Sequence, residues 1–143
     1  MLRAVIVDDE PKAIQSLSWE LSNFNSDIEI IDTFTEADKA IKYINENLID
    51  CLFLDIEMPT MDGFQLLEKL TSRDFPVVIT TAYNEYAIKA LKNEAIDYLL
   101  KPIDTDDLSI TIDRIKAYHS KSNSNEKFEK YYRALLRSLI EER

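Results

Sequence analysis

A chain of 143 residues, 45% hydrophobic and 31% charged, holds one core of ordinary size plus an appendage, and its apolar runs fall well short of the ~20 residues of a membrane span. A net charge of −10 argues against nucleic acid as a direct ligand, since phosphate backbones are held by lysine and arginine. One cysteine (Cys51) and one histidine (His119) leave neither a disulfide nor a zinc cluster, and one glycine (Gly63) cannot write a Walker or dinucleotide loop.

The opening Met1-Leu2-Arg3 runs straight into Ala4 to Val7 and then acids, too short and too acidic for a signal peptide, so a cytoplasmic location with no membrane contact is expected. Ala4 to Val7 reads as a first strand, and Asp9 to Pro11 as the start of a helix with Ile14, Leu17, Leu21 and Phe24 on one stripe. Ile28 to Phe34 is a second strand whose Glu29 and Asp32 suit a sheet edge. A second helix follows with Ala37, Ala40, Ile41 and Ile44 inward. Cys51 to Leu54, apolar throughout, reads as a central strand.

Past the loop Glu57 to Asp62, a third helix turns Phe64, Leu67 and Leu70 inward, and Val77 to Thr80 is a fourth strand. Asn84 is expected to cap a fourth helix that buries Ala87 and Leu91. The fifth strand is Ile96 to Leu100, and a helix from about Asp104 to Tyr118 buries Leu108, Ile112 and Ile115. This alternation marks an α/β fold on a parallel sheet. Cys51 reads as strand packing, His119 as a helix-end residue, and Trp19 as core or interface.

Ser120 to Asn125 is polar and turn-forming, and Phe128, Tyr131, Tyr132, Leu135, Leu136, Leu139 and Ile140 then trace a further amphipathic helix. Residues 121–143 carry six basic and four acidic side chains, a net +2 against −12 before them. The expected division is 1–120 as one domain and 121–143 as linker and helix.

In a doubly wound sheet, ligands bind beyond the carboxyl ends of the strands. There the first strand delivers Asp8 and Asp9, the third Asp55, the fourth Thr80 and Thr81, and the fifth Lys101 before Pro102; the edge strand delivers nothing comparable. With strand order 2-1-3-4-5 the three aspartates converge and repel unless a cation neutralises them. Oxygen donors with open water positions suit magnesium. Each piece alone has a plainer reading: the acidic pair as a helix cap, Lys-Pro as a turn, and Gly63 as a residue granting an unusual backbone angle with Met58 and Met61 packing beside it. Their joint placement at one sheet edge favours a site.

Val7-Asp8-Asp9-Glu10-Pro11, Leu54-Asp55-Ile56-Glu57-Met58-Pro59-Thr60-Met61-Asp62-Gly63, Thr81-Ala82 and Lys101-Pro102 together resemble the receiver domain of bacterial two-component response regulators over about residues 1 to 120. The stretches Thr81 to Ala87 and Ala95 to Pro102 look like receivers of the LytTR (LytR/AlgR) subfamily, whose output domain binds DNA. The resemblance implies a flavodoxin-like (βα)5 fold in which Asp55 is the phosphoacceptor. Asp9 and Asp55 would bind magnesium directly, Asp8 largely through water, and Glu57 through its backbone carbonyl. Thr81 and Lys101 would bond phosphoryl oxygens, Tyr98 would be an aromatic switch beside Thr81, and a cis Lys101-Pro102 bond would aim the lysine.

Such a chain is a regulatory phosphoprotein and not an enzyme in the ordinary sense, though it assists its own phosphorylation and dephosphorylation. Its expected partners are a sensor histidine kinase and, once phosphorylated, a second copy of itself through the α4-β5-α5 face; DNA would be reached through an output domain absent here. A stand-alone phosphorelay receiver is the alternative, as is a tail helix folded back on its own domain. A haloacid dehalogenase-like phosphatase fits poorly, because it needs an aspartate where Glu57 stands.

Overall fold

The computed structural model describes residues 1–24, 27–124 and 137. Five parallel strands, β1 (Leu2–Val7), β2 (Ile28–Phe34), β3 (Cys51–Asp55), β4 (Val77–Thr81) and β5 (Asp97–Leu100), lie in the order 2-1-3-4-5, as the sequence predicts. Between and after them run α1 (Pro11–Phe24), α2 (Ala37–Glu46), α3 (Gly63–Glu68), a single 3₁₀ turn (Asn84–Tyr86) continued by α4 (Ala87–Lys92), and α5 (Thr105–Ser124).

Side chains alternate across a strand, and this sorts the helices into two layers. Val5, Val7, Leu52, Leu54, Val77 and Ile79 face one way and bury Ala40 and Ile44 of α2, Phe64 and Leu67 of α3 and Ala90 of α4. Ala4, Ile6, Cys51, Phe53, Val78 and Leu99 face the other and bury Leu17 and Leu21 of α1 with Leu108, Ile112 and Ile115 of α5. Each fully buried aliphatic side chain contributes about 1.5–3 kcal/mol to folding. β3 is buried along its whole length, as a strand covered by helices on both faces must be.

The β1–β2 ladder is irregular: Ala4 opposes Ile30 but Val5 opposes Asp32, so Ile31 is left without a partner. α5 is fixed to β5 by Thr111, whose hydroxyl donates to Asp97 Oδ2 at 2.6 Å, and by Arg114, 3.0 Å from Asp97 Oδ1.

Several expectations are corrected. Asn84 caps nothing with its side chain; it opens the 3₁₀ turn, and neither that turn nor α4 has a side-chain cap bond. Because a 3₁₀ turn advances 3.0 residues per turn instead of 3.6, the buried face of α4 is rotated: Ala90 is buried, Ala87 is half-buried and Leu91 is 61% exposed. α5 continues through Ser124, so the polar stretch from Ser120 adds more than a turn of helix to the predicted end at Tyr118. His119 therefore lies within α5, where Nε2–H donates to the Asp50 carbonyl at 2.7 Å. Trp19 is 63% exposed, which removes the core half of its reading and leaves the interface half. Phe24, the last member of the α1 stripe, lies outside the described side chains, and the helix predicted from Phe128 to Ile140 outside the described residues. Among the described residues no helix is long and apolar enough to cross a membrane.

Candidate functional site

The ladder pairing Val7 with Leu54 carries β1 and β3 out of the sheet side by side, so the next residues, Asp8 and Asp55, emerge as neighbours. Both are buried, Asp9 is half-buried, and one carboxylate oxygen from each of the three lies within 4.8 Å of the others. Across the ladder Asp55 pairs with Thr80, and Thr81 with Leu100, which delivers Lys101 to the same edge after β5. The Lys101–Pro102 bond is cis. Lys101 Nζ lies 2.6 Å from Asp8 Oδ2 and 3.3 Å from Asp55 Oδ1.

Asp8 makes a further bond, for its Oδ1 accepts from the Glu10 N–H at 2.9 Å in the turn that precedes α1.

The electrostatics match the crowding. Burial first and the Asp8 charge second push the Asp55 carboxyl up to about 7, against the pull of Lys101. Burial works against the Lys101 ammonium, but its bond to Asp8 and the charges of Asp55 and Asp8 outweigh it and raise its pKa. One lysine faces three carboxylates, so the pocket remains negative. Three hard oxygen donors within ligand reach fit a divalent cation of the magnesium type.

The loop after β3 is held by backbone bonds. The Ile56 N–H donates to the Thr80 carbonyl and the Gly63 N–H to the Ile56 carbonyl, turning the chain back sharply. Asp62 and Gln65 form a reciprocal capping box that starts α3. The reason for Gly63 differs from the one expected: no glycine has positive φ, but a Cβ here would lie 2.6 Å from the Asp55 carbonyl oxygen. Close approach, and not backbone angle, demands glycine.

The remaining predicted residues make their bonds outside the carboxylate cluster. Thr81 is fully buried and its hydroxyl accepts from the Tyr83 N–H at 3.1 Å. Tyr98 is half-buried, and its hydroxyl donates to the Asn84 carbonyl at 3.3 Å and to Asn84 Oδ1. Glu57 turns its carboxylate away to Tyr86, which donates its hydroxyl at 3.1 Å. Sequence reasoning missed both Asn84 in this role and Tyr86. The run Tyr83-Asn84-Glu85-Tyr86 holds polar aromatics at close spacing, but nothing in it names a partner on another element.

The sequence matches the family described as response regulator receiver domain over residues 4–113. It is 41% identical over 124 residues to the transcriptional regulatory protein BtsR of Escherichia coli K12, an alignment covering 86% of this chain and 52% of that one. The chain spans about half the length of the curated relatives it matches. Among solved structures, it resembles the response regulatory domain of mrkE from Klebsiella pneumoniae at TM-score 0.71 and 30% identity, covering 87% of this chain and 100% of that one. It also resembles the response regulator TrrA from Thermotoga maritima in complex with Mg2+-BeF, at TM-score 0.71 and 29% identity, covering 80% and 99%.

Proposed function

The chain belongs to the response regulator receiver family, and from that premise we propose that it takes a phosphoryl group onto Asp55 from a sensor histidine kinase and signals through the face made by α4, β5 and α5. The observation that carries the reading is the meeting of Asp8, Asp9 and Asp55 with Lys101 at one sheet edge.

In the transfer, an ionised Asp55 oxygen attacks the phosphorus of the donor's phosphohistidine. A carboxyl O–P bond forms while the P–N bond breaks, its electron pair leaving with the imidazole. The Asp8, Asp9 and Asp55 carboxylates and the Glu57 backbone carbonyl would hold magnesium, with Asp8 acting largely through water. When bound, magnesium supplies the positive charge that offsets the crowded carboxylates and the phosphoryl oxygens. Lys101 pairs with one phosphoryl oxygen and Thr81 donates its hydroxyl to another. The same groups assist return of the phosphoryl group to water, so this is a regulator that takes part in its own chemistry.

Phosphorylation adds nearly two negative charges. Thr81 moves toward them, giving up the Tyr83 N–H, and Tyr98 leaves Asn84 to follow, shifting the population between two packings. Ile88, Leu91, Leu100 and Ile110, exposed on α4, β5 and α5, then serve as a dimer face. Residues 1–120 form the receiver, with α5 running on to Ser124, and the chain beyond leads toward a LytTR-type DNA-binding output; the length of the curated relatives, of which the matched region is about half, favours this over a stand-alone phosphorelay receiver. The setting is cytoplasmic.

Intact mass after incubation with magnesium and acetyl phosphate tests the acceptor. One added phosphoryl group on the parent and none on Asp55→Ala is expected; addition to the variant, or to neither protein, would overturn the assignment.

A further inference from the structure

Glu57 stands two positions after Asp55, yet its carboxylate is not among the three that gather at the pocket. It is held across the loop, where Tyr86 at the end of the 3₁₀ turn donates its hydroxyl to Glu57 Oε1 at 3.1 Å. Packing fixes the Tyr86 ring independently of that bond. The ring lies against the core on the α2–α4 side, 6.3 Å from Phe64 at a tilt of 54° and 6.3 Å edge-on to Tyr83 at 87°. The other end of the same turn is tied by Tyr98 to the Asn84 carbonyl. The hydroxyl is thus aimed by its surroundings, and the flexible partner is the glutamate.

We propose that Tyr86 is a positioning residue for the acceptor site: by holding the Glu57 carboxylate at the 3₁₀ turn, it keeps a fourth negative charge away from the entrance that an anionic phosphodonor must use. This rests on the reading of Asp55 as acceptor. A fourth carboxylate released beside Asp8, Asp9 and Asp55 acts oppositely on the two ligands of the pocket, repelling the donor and attracting the cation. General loosening of the loop would instead weaken both.

The experiment compares the parent, Tyr86→Phe, Glu57→Gln and the double variant; Glu57→Gln keeps the backbone carbonyl and removes the charge. Phosphorylation by acetyl phosphate is followed against donor concentration, and magnesium is titrated by calorimetry without donor. For Tyr86→Phe we expect roughly threefold slower phosphorylation at low donor and low salt, shrinking at 0.5 M salt where the Debye length is about 4 Å, together with severalfold tighter magnesium binding. Neither effect appears when Tyr86→Phe is added to Glu57→Gln. Weaker magnesium binding, unchanged phosphorylation, or a full effect in the Glu57→Gln background would each overturn the proposal. If the parent takes up no phosphoryl group, the acceptor reading fails, and the magnesium titrations alone still decide whether Tyr86 restrains Glu57.

Discussion

Lys101 and Asp8, 93 residues apart in sequence, meet with Nζ 2.6 Å from Oδ2, and the same ammonium reaches Asp55 at 3.3 Å. Two buried carboxylates on adjacent strands are thereby made tolerable by a cation from a third strand. Lys101→Ala is expected to cost about 1–2 kcal/mol of folding stability without magnesium, below the roughly 3–5 kcal/mol of a fully buried pair because the lysine is partly open to water. Saturating magnesium narrows the gap between the two proteins, because the ion takes over the neutralising role of the lysine and binds the folded variant more tightly than the folded parent. Urea unfolding with and without the ion measures both; equal stability of parent and variant in both conditions would contradict the account.

Gly63→Ala places a Cβ 2.6 Å from the Asp55 carbonyl oxygen and 3.2 Å from the Ile56 Cα, two backbone neighbours that cannot rotate aside. A loss of about 1–3 kcal/mol is expected, along with weaker magnesium binding, because the displaced backbone carries Asp55. Denaturant unfolding and a magnesium titration report the two effects separately.

Cys51 is fully buried, and burial, with the Asp50 charge second, pushes its thiol up to about 12. Iodoacetamide at pH 8 should leave the native protein unmodified while alkylating the urea-unfolded chain. The sign with pH follows from the folded state holding this proton more tightly: the contribution is complete below the ordinary thiol value of 9.0 and is lost as pH rises from there toward about 12. The stability advantage of the parent over Cys51→Ala should therefore shrink above about pH 9. Alkylation of the folded protein at the unfolded rate would show the site to be open.

Phosphorylation is expected to convert monomer to dimer through Ile88, Leu91, Leu100 and Ile110. Sedimentation with magnesium and beryllofluoride, a phosphoryl mimic, should give a doubled mass that Leu91→Asp abolishes. Unchanged mass with the mimic bound would count against this face.

The parts of the fold legible in the sequence were those with a long or redundant pattern. β3 could be read as central because Cys51 to Leu54 has no polar position, and β2 as an edge because Glu29 and Asp32 interrupt it. The carboxyl ends of β1, β3 and β5 announced Asp8, Asp9, Asp55 and Lys101 once the order 2-1-3-4-5 was in place. What failed lay where the pattern was short or the partner remote. The 3₁₀ turn and α4 together span nine residues, too few for a periodicity to fix its phase, so the pattern alone turns Leu91 inward. His119 bonds a carbonyl 69 residues away, and Gly63 answers to a backbone approach; neither leaves a local signature. Tyr86 reaches Glu57 across 29 residues and was invisible for the same reason.

The irregular β1–β2 ladder bears on how this protein can meet others. β2 is one rim of the sheet, and it carries Glu29, Asp32 and the unpaired Ile31, while β5, the other rim, is only four residues long with Asp97 at its start. A charged, kinked rim and a very short one are both poor templates for a strand from another chain. Association by extending the sheet is thereby discouraged at both margins, and a partner protein is left the helix surfaces and connecting loops to recognise.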